Sequence, residues 1–476
     1  MDLRNLSKND TIIACATSPG MGAIAVIRIS GPDSIEIVNK NFKSFIKNKS
    51  LLQAASHTAN YGEIFDNLKK DNLAVDEVLA TLFHHGKSFT GEETVEISCH
   101  GSTYVVKAII DLFLKQGVRL ADPGEFTMRA YRNGKFDLAQ AEAVADLIHS
   151  SNAAGANIAL NQMRGGFSNK IEDVREELIK FASLMELELD FGEEDVEFAD
   201  RTQFIALINK IQELITQLIQ SFELGNVIKN GVPVAIVGEP NVGKSTLLNT
   251  LLNDDRAIVS DIAGTTRDVI EDNINIQGID FRFIDTAGIR ETTDYVEGKG
   301  IEKTFQKIES SKVVLHLLEA SQVKNSSSTL LAEIHQKEYA KYTGKKIVFV
   351  INKCDLSSFS EFENMGKSGN EAYEVIAISA KENSGVEQLI EKLTSSFKIG
   401  EISPDDIIIT NARHVQALTE TQTNLNNTLQ AMETGIPGDL LAIDIRAALY
   451  SLGTITGHVT TDDLLGFIFS KFCIGK

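Results

Sequence analysis

Residues 238 to 245 read Gly238-Glu-Pro-Asn-Val-Gly243-Lys244-Ser245, directly after the apolar stretch Val232 to Val237 and directly before Leu247-Leu248. Strand, glycine-rich loop and helix in that order make a phosphate cradle. Backbone N–H groups of such a loop converge on one spot with a helix N-terminus behind them, Lys244 adds a full positive charge, and the Ser245 hydroxyl can take a Mg²⁺ ligand position. Glycine at both ends lets the backbone approach phosphate with no Cβ in the way. Asn241, Val242, Gly243, Lys244, Ser245 and Thr246 are the candidate phosphate contacts. A second run, Asn352-Lys353-Cys354-Asp355, follows the apolar segment Ile347 to Ile351 and names the base. The Asp355 carboxylate can accept from both guanine N1–H and the exocyclic amine, a donor pair that adenine lacks, so the site should prefer GTP to ATP. Ser379-Ala380-Lys381, after Val375 to Ile378, fits a loop that closes over that base.

Between these runs lie Gly264-Thr265-Thr266-Arg267-Asp268 and Asp285-Thr286-Ala287-Gly288. Asp285 ends the apolar strand Phe281 to Ile284, where a carboxylate can hold Mg²⁺ through water; Thr266 can supply a second hydroxyl ligand beside Ser245, and Gly288 can offer its N–H to a γ-phosphate. Order and spacing of the five elements resemble a Ras-like G domain of the TrmE/Era type. One departure from Ras-type proteins carries information: Ile289 follows Gly288 where a glutamine would orient the attacking water. An apolar side chain cannot do that, so hydrolysis must borrow a group from elsewhere.

The elements that position these runs form a multidomain pattern. At 476 residues with 43% apolar content, the chain suggests three modules. Thr11 to Ala14, Gly22 to Ser30, Val78 to Phe83 and Glu93 to Ser98 read as strands, and Ser34 to Phe45 and Thr103 to Gln116 have helical spacing, so residues 1–125 form an α+β module. From Asp137 the stripe Leu138, Ala141, Val144, Ala145, Ile148 opens a helical region, with Ile171 to Leu189 and Phe204 to Leu224 as further amphipathic segments that stop at Gly231. Helices return in Ala412 to Met432, Leu440 to Leu452 and Thr461 to Phe472. The expected fold is therefore an N-terminal α+β module, a discontinuous helical domain (126–230 plus 396–476) and a Ras-like P-loop G domain (231–395) inserted into it. Asn325 to Ser328 reads as a surface loop.

A net charge of −20 repels nucleic acid on average, so any RNA contact must rest on a local basic patch or on a partner. Cys15, Cys99, Cys354 and Cys473 lie far apart and imply neither a zinc site nor a disulfide framework. The N-terminal residues lack the pattern of a signal peptide and no apolar run reaches about 18 residues, so a cytoplasmic protein is expected. Cys473 is fourth from the end, but Gly475 and Lys476 suit a prenylation box poorly and no polybasic stretch precedes it. It reads either as a bland buried or frayed cysteine or as a thiol activated by Lys471 and Lys476.

Asp462-Asp463-Leu464-Leu465-Gly466, Ile468-Phe469-Ser470 and the closing Phe-Cys-Ile-Gly-Lys resemble the C-terminal signature of the MnmE (TrmE) family of tRNA-modification GTPases. Asp10-Thr11-Ile12, Ile27-Arg28-Ile29-Ser30-Gly31, Phe89-Thr90-Gly91-Glu92, Pro123-Gly124-Glu125-Phe126-Thr127 and Asp137-Leu138-Ala139-Gln140-Ala141-Glu142 match it as well, so the resemblance spans the chain. It implies a homodimer that assembles with the FAD protein MnmG (GidA) into a heterotetramer and installs an aminomethyl-type or carboxymethylaminomethyl group on C5 of the wobble uridine, position 34, of certain tRNAs. The one-carbon unit would come from 5-formyl- or methylene-tetrahydrofolate bound in the N-terminal module, which also dimerises. Family folate contacts map onto Arg28, Glu96, Lys135 and Lys476, and the family's terminal cysteine onto Cys473 as a catalytic candidate. Arg and Lys suit folate carboxylates, and Glu suits the donor edge of a pterin; on residues alone, Arg28 and Glu96 are ordinary polar positions on a strand.

The resemblance also answers the missing glutamine. In the family K⁺ takes the place of an arginine finger, with Asn241 and the backbone oxygens of Ser260, Ile262 and Thr265 as ligands once two G domains meet. Ser260, Asp261, Ile262, Ala263, Gly264, Thr265 and Thr266 thus join the GTP-binding set with Asp285, Thr286, Ala287 and Gly288. The acid that positions water maps onto Glu297, one of several acids beside Glu291 and Asp294. Two other classes compete. A ribosome-assembly or translation GTPase that binds RNA without modifying it would want a basic module, which the charge disfavours; a GTP switch with a vestigial folate module would leave tRNA unmodified.

Overall fold

The computed structural model describes residues 10–47, 49–67, 73–190, 201–252, 257–259, 272–284, 308–324, 330–342, 344–356, 373–395, 406–434 and 438–475. They form two compact units, one of Met1–Ala145, Leu160–Glu213 and Gln416–Lys476, the other of Asp146–Ala159 and Leu214–Val415.

The first unit is built on strands β1 (Ile12–Cys15), β2 (Ile24–Ser30), β3 (Phe42–Ser44), β4 (Thr58–Asp66), β5 (Leu73–Phe83), β6 (Thr94–His100) and β7 (Arg119–Leu120), in the order β3-β4-β5-β6-β2-β1-β7. All neighbours are antiparallel except β1 and β7. Strand alternation divides the residues between two faces. Ile13, Ile27, Ile29, Val95 and Ile97 pack with Ile35 and Val38 of helix Ser34–Lys40 and with Ile109, Leu112 and Phe113 of helix Thr103–Leu114. On the opposite face Ile12 and Ala14 pack with Phe126 of helix Glu125–Arg132.

Two local readings of the sequence are corrected here. The helix expected to run from Ser34 to Phe45 stops at Lys40, and Phe42–Ser44 pairs as β3. Asn41 makes the break: it is fully buried, and its side-chain amide donates to the Ile37 carbonyl at 3.0 Å and to Gln116 at 2.9 Å, which takes the chain out of the helix. Strand β4 was invisible to an apolar-periodicity reading because two of its inward positions are Asn60 and Gly62, both buried. A side chain at Gly62 would strike the Lys43 carbonyl and the Phe42 ring. The remaining helices of this unit include Gly166–Asp190, stacked through Phe181 on Phe204 with ring centroids 3.7 Å apart, and Gly438–Thr456 and Asp462–Phe469 near the end of the chain.

The second unit carries β8 (Val232–Gly238), β9 (Ala257–Val259), β10 (Asp272–Ile276), β11 (Ile279–Phe283), β12 (Val313–Glu319), β13 (Lys346–Asn352) and β14 (Glu374–Ala377), ordered β14-β13-β12-β8-β11-β10-β9. From β14 to β11 every pairing is parallel; β10 is antiparallel to both its neighbours. Near-continuous apolar runs in β8, β12 and β13 follow from burial on both faces. Helices Lys244–Leu252 and Val386–Ser395 bury Leu247, Leu248, Leu251, Leu389 and Leu393 in the core on one face. In such a sheet the loops at the carboxyl ends of the parallel strands are the ligand-binding edge. Here those ends are Gly238, Glu319, Asn352 and Ala377.

Candidate functional site

The phosphate loop leaves β8 at Gly238 and enters helix Lys244–Leu252. Lys244 Nζ donates to the carbonyls of Gly238 and Glu239 at 2.8 and 2.7 Å, so the ammonium lies over the loop it is meant to serve. Gly243 has φ +100, and a Cβ there would collide with the Asn352 amide, a close approach that only glycine permits. Asn241 is exposed and held at φ +63. Ser245 is half-buried in the first turn of the same helix, next to Lys244.

Asn352 ties three loops together. It is 3% exposed; its Nδ2 donates to the Val242 carbonyl at 2.8 Å and its Oδ1 accepts from the Ala380 N–H at 3.0 Å. The Ser379 hydroxyl donates to Asp355 Oδ1 at 2.7 Å, which aims an otherwise exposed carboxylate, and Thr250 bonds the Ala380 carbonyl from the phosphate-loop helix. Asp355 and the backbone after Ser379 thus face one place with the donors and acceptors a guanine requires. Lys381 is exposed beside Glu382.

Lys353, read from the sequence as part of the base-recognition run, sits at φ +63 and pairs with Glu319 at 2.7 Å. Two groups at this edge escaped the sequence reading. Gln322 bonds Glu239 of the phosphate loop at 2.6 Å. His316 pairs in register with Val237 and bonds the Tyr339 hydroxyl at 2.6 Å. Burial pushes its imidazole down to about 4, so it is neutral near pH 7. Only register on the folded sheet reveals it. Ser260, Asp261, Ile262, Ala263, Gly264, Thr265, Thr266, Asp285, Thr286, Ala287, Gly288, Glu297 and Lys476 lie outside the described residues, as do Ile289 and Asn325 to Ser328.

In the first unit Arg28 of β2 and Glu96 of β6 are register partners and form an ion pair, with Nη2 at 2.7 Å and Nε at 2.9 Å from Oε1. The guanidinium lies against the rings of Phe89 and Phe126, 5.2 and 5.5 Å from their centroids. Lys135 donates to the Gly86 carbonyl at 2.6 Å, in the loop that also carries Phe89, and Phe136 packs on Phe89. Cys473 is exposed; its carbonyl accepts from the Gly124 N–H at 3.4 Å, while Gly475 packs against Cys15. Lys471 lies over the Phe467 ring, 4.0 Å from its centroid. Helix Glu125–Arg132 organises all of this: Gly124 at its start meets the C-terminal segment, Phe126 meets Arg28, and Lys135 follows its end.

Under that helix the scattered motif residues converge. Arg129, 5% exposed in its side chain, reaches Asp10 at 2.7 Å, Glu125 at 2.9 Å and Glu92 at 3.2 Å, and Arg119 reaches Glu125 at 2.5 Å and Asp10 at 2.7 Å. Ser30 and Thr90 extend the network from Glu92. Burial works to raise the Asp10 carboxyl, but the hydrogen bonds and charges of Arg119 and Arg129 outweigh it and hold it below the ordinary range. Glu125 is fully buried, and such a carboxylate is tolerable only with these partners.

A mainly parallel sheet with a glycine-rich loop ending in Lys-Ser and an Asn-Lys-x-Asp run at a neighbouring strand end has the make-up of a P-loop GTPase. Family descriptions narrow the class: "GTP-binding protein TrmE N-terminus" matches residues 11–135 and "MnmE helical domain" matches residues 138–473. The chain belongs to the MnmE family of tRNA modification GTPases. It is 56% identical to the tRNA modification GTPase MnmE of Flavobacterium johnsoniae over 468 residues, 98% of this chain and 99% of that protein. It is 50% identical to that of Cytophaga hutchinsonii over 467 residues, 98% of each. Among solved structures, a crystal structure of Era in complex with MgGDPNP and 16S ribosomal RNA nucleotides is 31% identical over 40% of this chain and 65% of that one, with TM-score 0.25. Membership of that family makes the protein a GTP-hydrolysing enzyme of tRNA modification. Among the described residues no helix is long and apolar enough to cross a membrane.

Proposed function

We propose that GTP hydrolysis in this protein serves the installation of an aminomethyl-type group on C5 of the wobble uridine of certain tRNAs, with an FAD-dependent MnmG-type partner and a tetrahydrofolate one-carbon unit. The observation that carries the reading is the Arg28–Glu96 pair seated between Phe89 and Phe126. A half-buried cation, an acid and two rings on one sheet face are the chemistry a folate needs: a counter-charge for carboxylate, an acceptor for the pterin donor edge, and apolar walls. Lys135 and Lys476 complete the basic set, and Cys473 is the catalytic candidate at the C-terminal segment. Bound there, the folate would supply a one-carbon unit; this chain's residues would orient it.

At the nucleotide site Ser245 and Thr266 are assigned to Mg²⁺, Lys244 and Gly288 to the phosphates, Asp355 to guanine, and Glu297 to the attacking water. Asn241, Ser260, Ile262 and Thr265 are assigned to K⁺, which offsets charge at the β–γ bridge when bound. The working form is a homodimer in the cytoplasm, assembled with its partner, and tRNA is held largely by that partner because this chain is so acidic. The organisation adopted is an N-terminal folate and dimerisation module (1–125), a helical domain (126–230 plus 396–476) and a G domain (231–395).

The deciding experiment is nucleoside analysis of tRNA from a strain lacking the gene. Wild-type chain should restore the modified wobble uridine, whereas Cys473→Ser and Arg28→Ala should not; full restoration by both variants would remove the folate site from the reading. Exchanging K⁺ for Na⁺ should slow turnover strongly, and an equal rate would remove the K⁺ assignment.

A further inference from the structure

The antiparallel pair β10–β11 lies in the chain between the segment holding Gly264 to Asp268 and the segment holding Asp285 to Gly288. Its inward residues Ile274, Ile276, Ile279, Phe281 and Phe283 are buried in the core of the second unit, so the pair moves as a piece instead of absorbing displacement. At its far end is Asp280. Its Oδ1 accepts from Asn275 Nδ2 at 2.6 Å, and its Oδ2 accepts from Asn152 Nδ2 at 2.8 Å and from the Ser151 hydroxyl in a short bond.

Ser151 and Asn152 link helix Leu138–His149 to helix Ala153–Met163. Asn152 Oδ1 accepts from the Gly155 N–H at 2.7 Å, which sets the start of the second of these helices, and its Nδ2 also donates to the Ile228 carbonyl at 3.0 Å. One residue on, Lys229 pairs with Asp146 at 2.7 Å, and Thr410 bonds the same carboxylate at 3.1 Å. Gly231, where the chain enters β8, leaves no room for a Cβ against the Asp280 carbonyl. The helical linker and the chain entering the G-domain sheet are thus fastened through Asp280 and Asn152, and the chain entering and the chain leaving that sheet through Asp146, all inside the second unit.

We propose that Asp280 is a positioning residue that transmits nucleotide-driven movement of the β10–β11 pair to the helical linker at Ser151 and Asn152. Contact of Thr266 and Gly288 with a γ-phosphate pulls on the two open ends of the pair; loss of the phosphate releases them; Asp280 converts that displacement into a change at the start of helix Ala153–Met163. Coupling needs a contiguous element that both sites bias, and here it is one strand pair and three side-chain hydrogen bonds. The proposal rests on the γ-phosphate assignments above.

The test is amide hydrogen exchange on the full-length protein bound to GDP or to a non-hydrolysable GTP analogue. The reporters are the Gly278 amide, bonded to Asn275 in the hairpin turn, and the Gly155 and Ala156 amides, bonded to Asn152. In wild type both sets should differ between nucleotides by about threefold or more, within the usual range of coupling. Ser151→Asp places a second carboxylate against Asp280 at an exposed position, so it should leave the Gly278 response intact and abolish that at Gly155 and Ala156. Ser151→Thr keeps a hydroxyl donor to Asp280 at the same position and should retain it. GTP turnover in Ser151→Asp should stay within about twofold, as for a surface change away from the reacting atoms. A silent Gly278 would overturn the proposal through its γ-phosphate premise. A responsive Gly278 with silent Gly155 and Ala156 in wild type, or a response that survives Ser151→Asp, would overturn the role of Asp280 itself.

Discussion

The nucleotide edge of the second unit and the ionic cluster of the first are built in opposite ways. At the nucleotide edge, function lies in contiguous runs of chain, each at the end of one parallel strand, and much of the chemistry is backbone N–H geometry. In the ionic cluster, residues 10, 92 and 119 come from separate stretches of chain and meet Glu125 and Arg129 of one helix, and each charge is tolerable only because the others are present. The first arrangement should lose function without losing fold when a side chain is cut. The second should lose fold first.

The largest effect is expected from Arg129→Met. Cutting the guanidinium strips Glu125 and Glu92 of a buried partner, at a cost of about 3 kcal/mol in the first unit. Thermal unfolding should report it, and adding Glu125→Gln should recover part of the loss; a stable single variant would show that Arg119 alone suffices. Next comes Lys244→Ala, which removes a charge-assisted phosphate contact and should weaken GTP binding by roughly 100-fold while leaving the melting temperature almost unchanged. A large fall in melting temperature would erase the contrast drawn above.

His316 gives a comparable effect that depends on pH. Its folded value lies near 4 against 6.5 in the unfolded chain, so between those values the unfolded state takes up the proton first. Stability is complete above pH 6.5 and falls as pH drops toward 4, by on the order of 3 kcal/mol. Hydrogen exchange in the strand Val313–Glu319 should track this, and His316→Asn should flatten the slope; an unchanged slope would assign the loss to other groups. The smallest change is expected for Ser379→Ala. Losing one hydrogen bond to Asp355 should weaken guanine-nucleotide binding by about fivefold, near 1 kcal/mol, and adenine nucleotides should gain nothing.

Much of the nucleotide site was legible because a phosphate cradle demands glycine, lysine and serine at fixed spacing after an apolar strand, and local order is enough to state that. Asn352 was read as part of a base-recognition run; its bonds to Val242 and Ala380 show it also locks three loops. In the N-terminal module the motif residues were visible, but beyond the i,i+4 spacing of Glu125 and Arg129 nothing in the sequence told that Asp10 and Glu92 meet the same guanidinium. Strand β4 stayed hidden because two of its three buried inward positions are an amide and a glycine, and hydrophobic periodicity has no sign for either.

By itself the sequence determined the class of nucleotide, the order of strand, loop and helix around it, and a family whose signatures run from Asp10 to the terminal lysine. Those are properties of residue type at short range, where the 3.6 and 2.0 periods and the needs of a phosphate fix the outcome. Tertiary structure alone decided which charges become partners, that Arg28 faces Glu96 between two rings, that His316 is buried and neutral, and that Asp280 touches the helical linker. Each depends on strand register or on helices meeting across more than a hundred residues of chain, and a shift of register by one position would send those side chains to the other face.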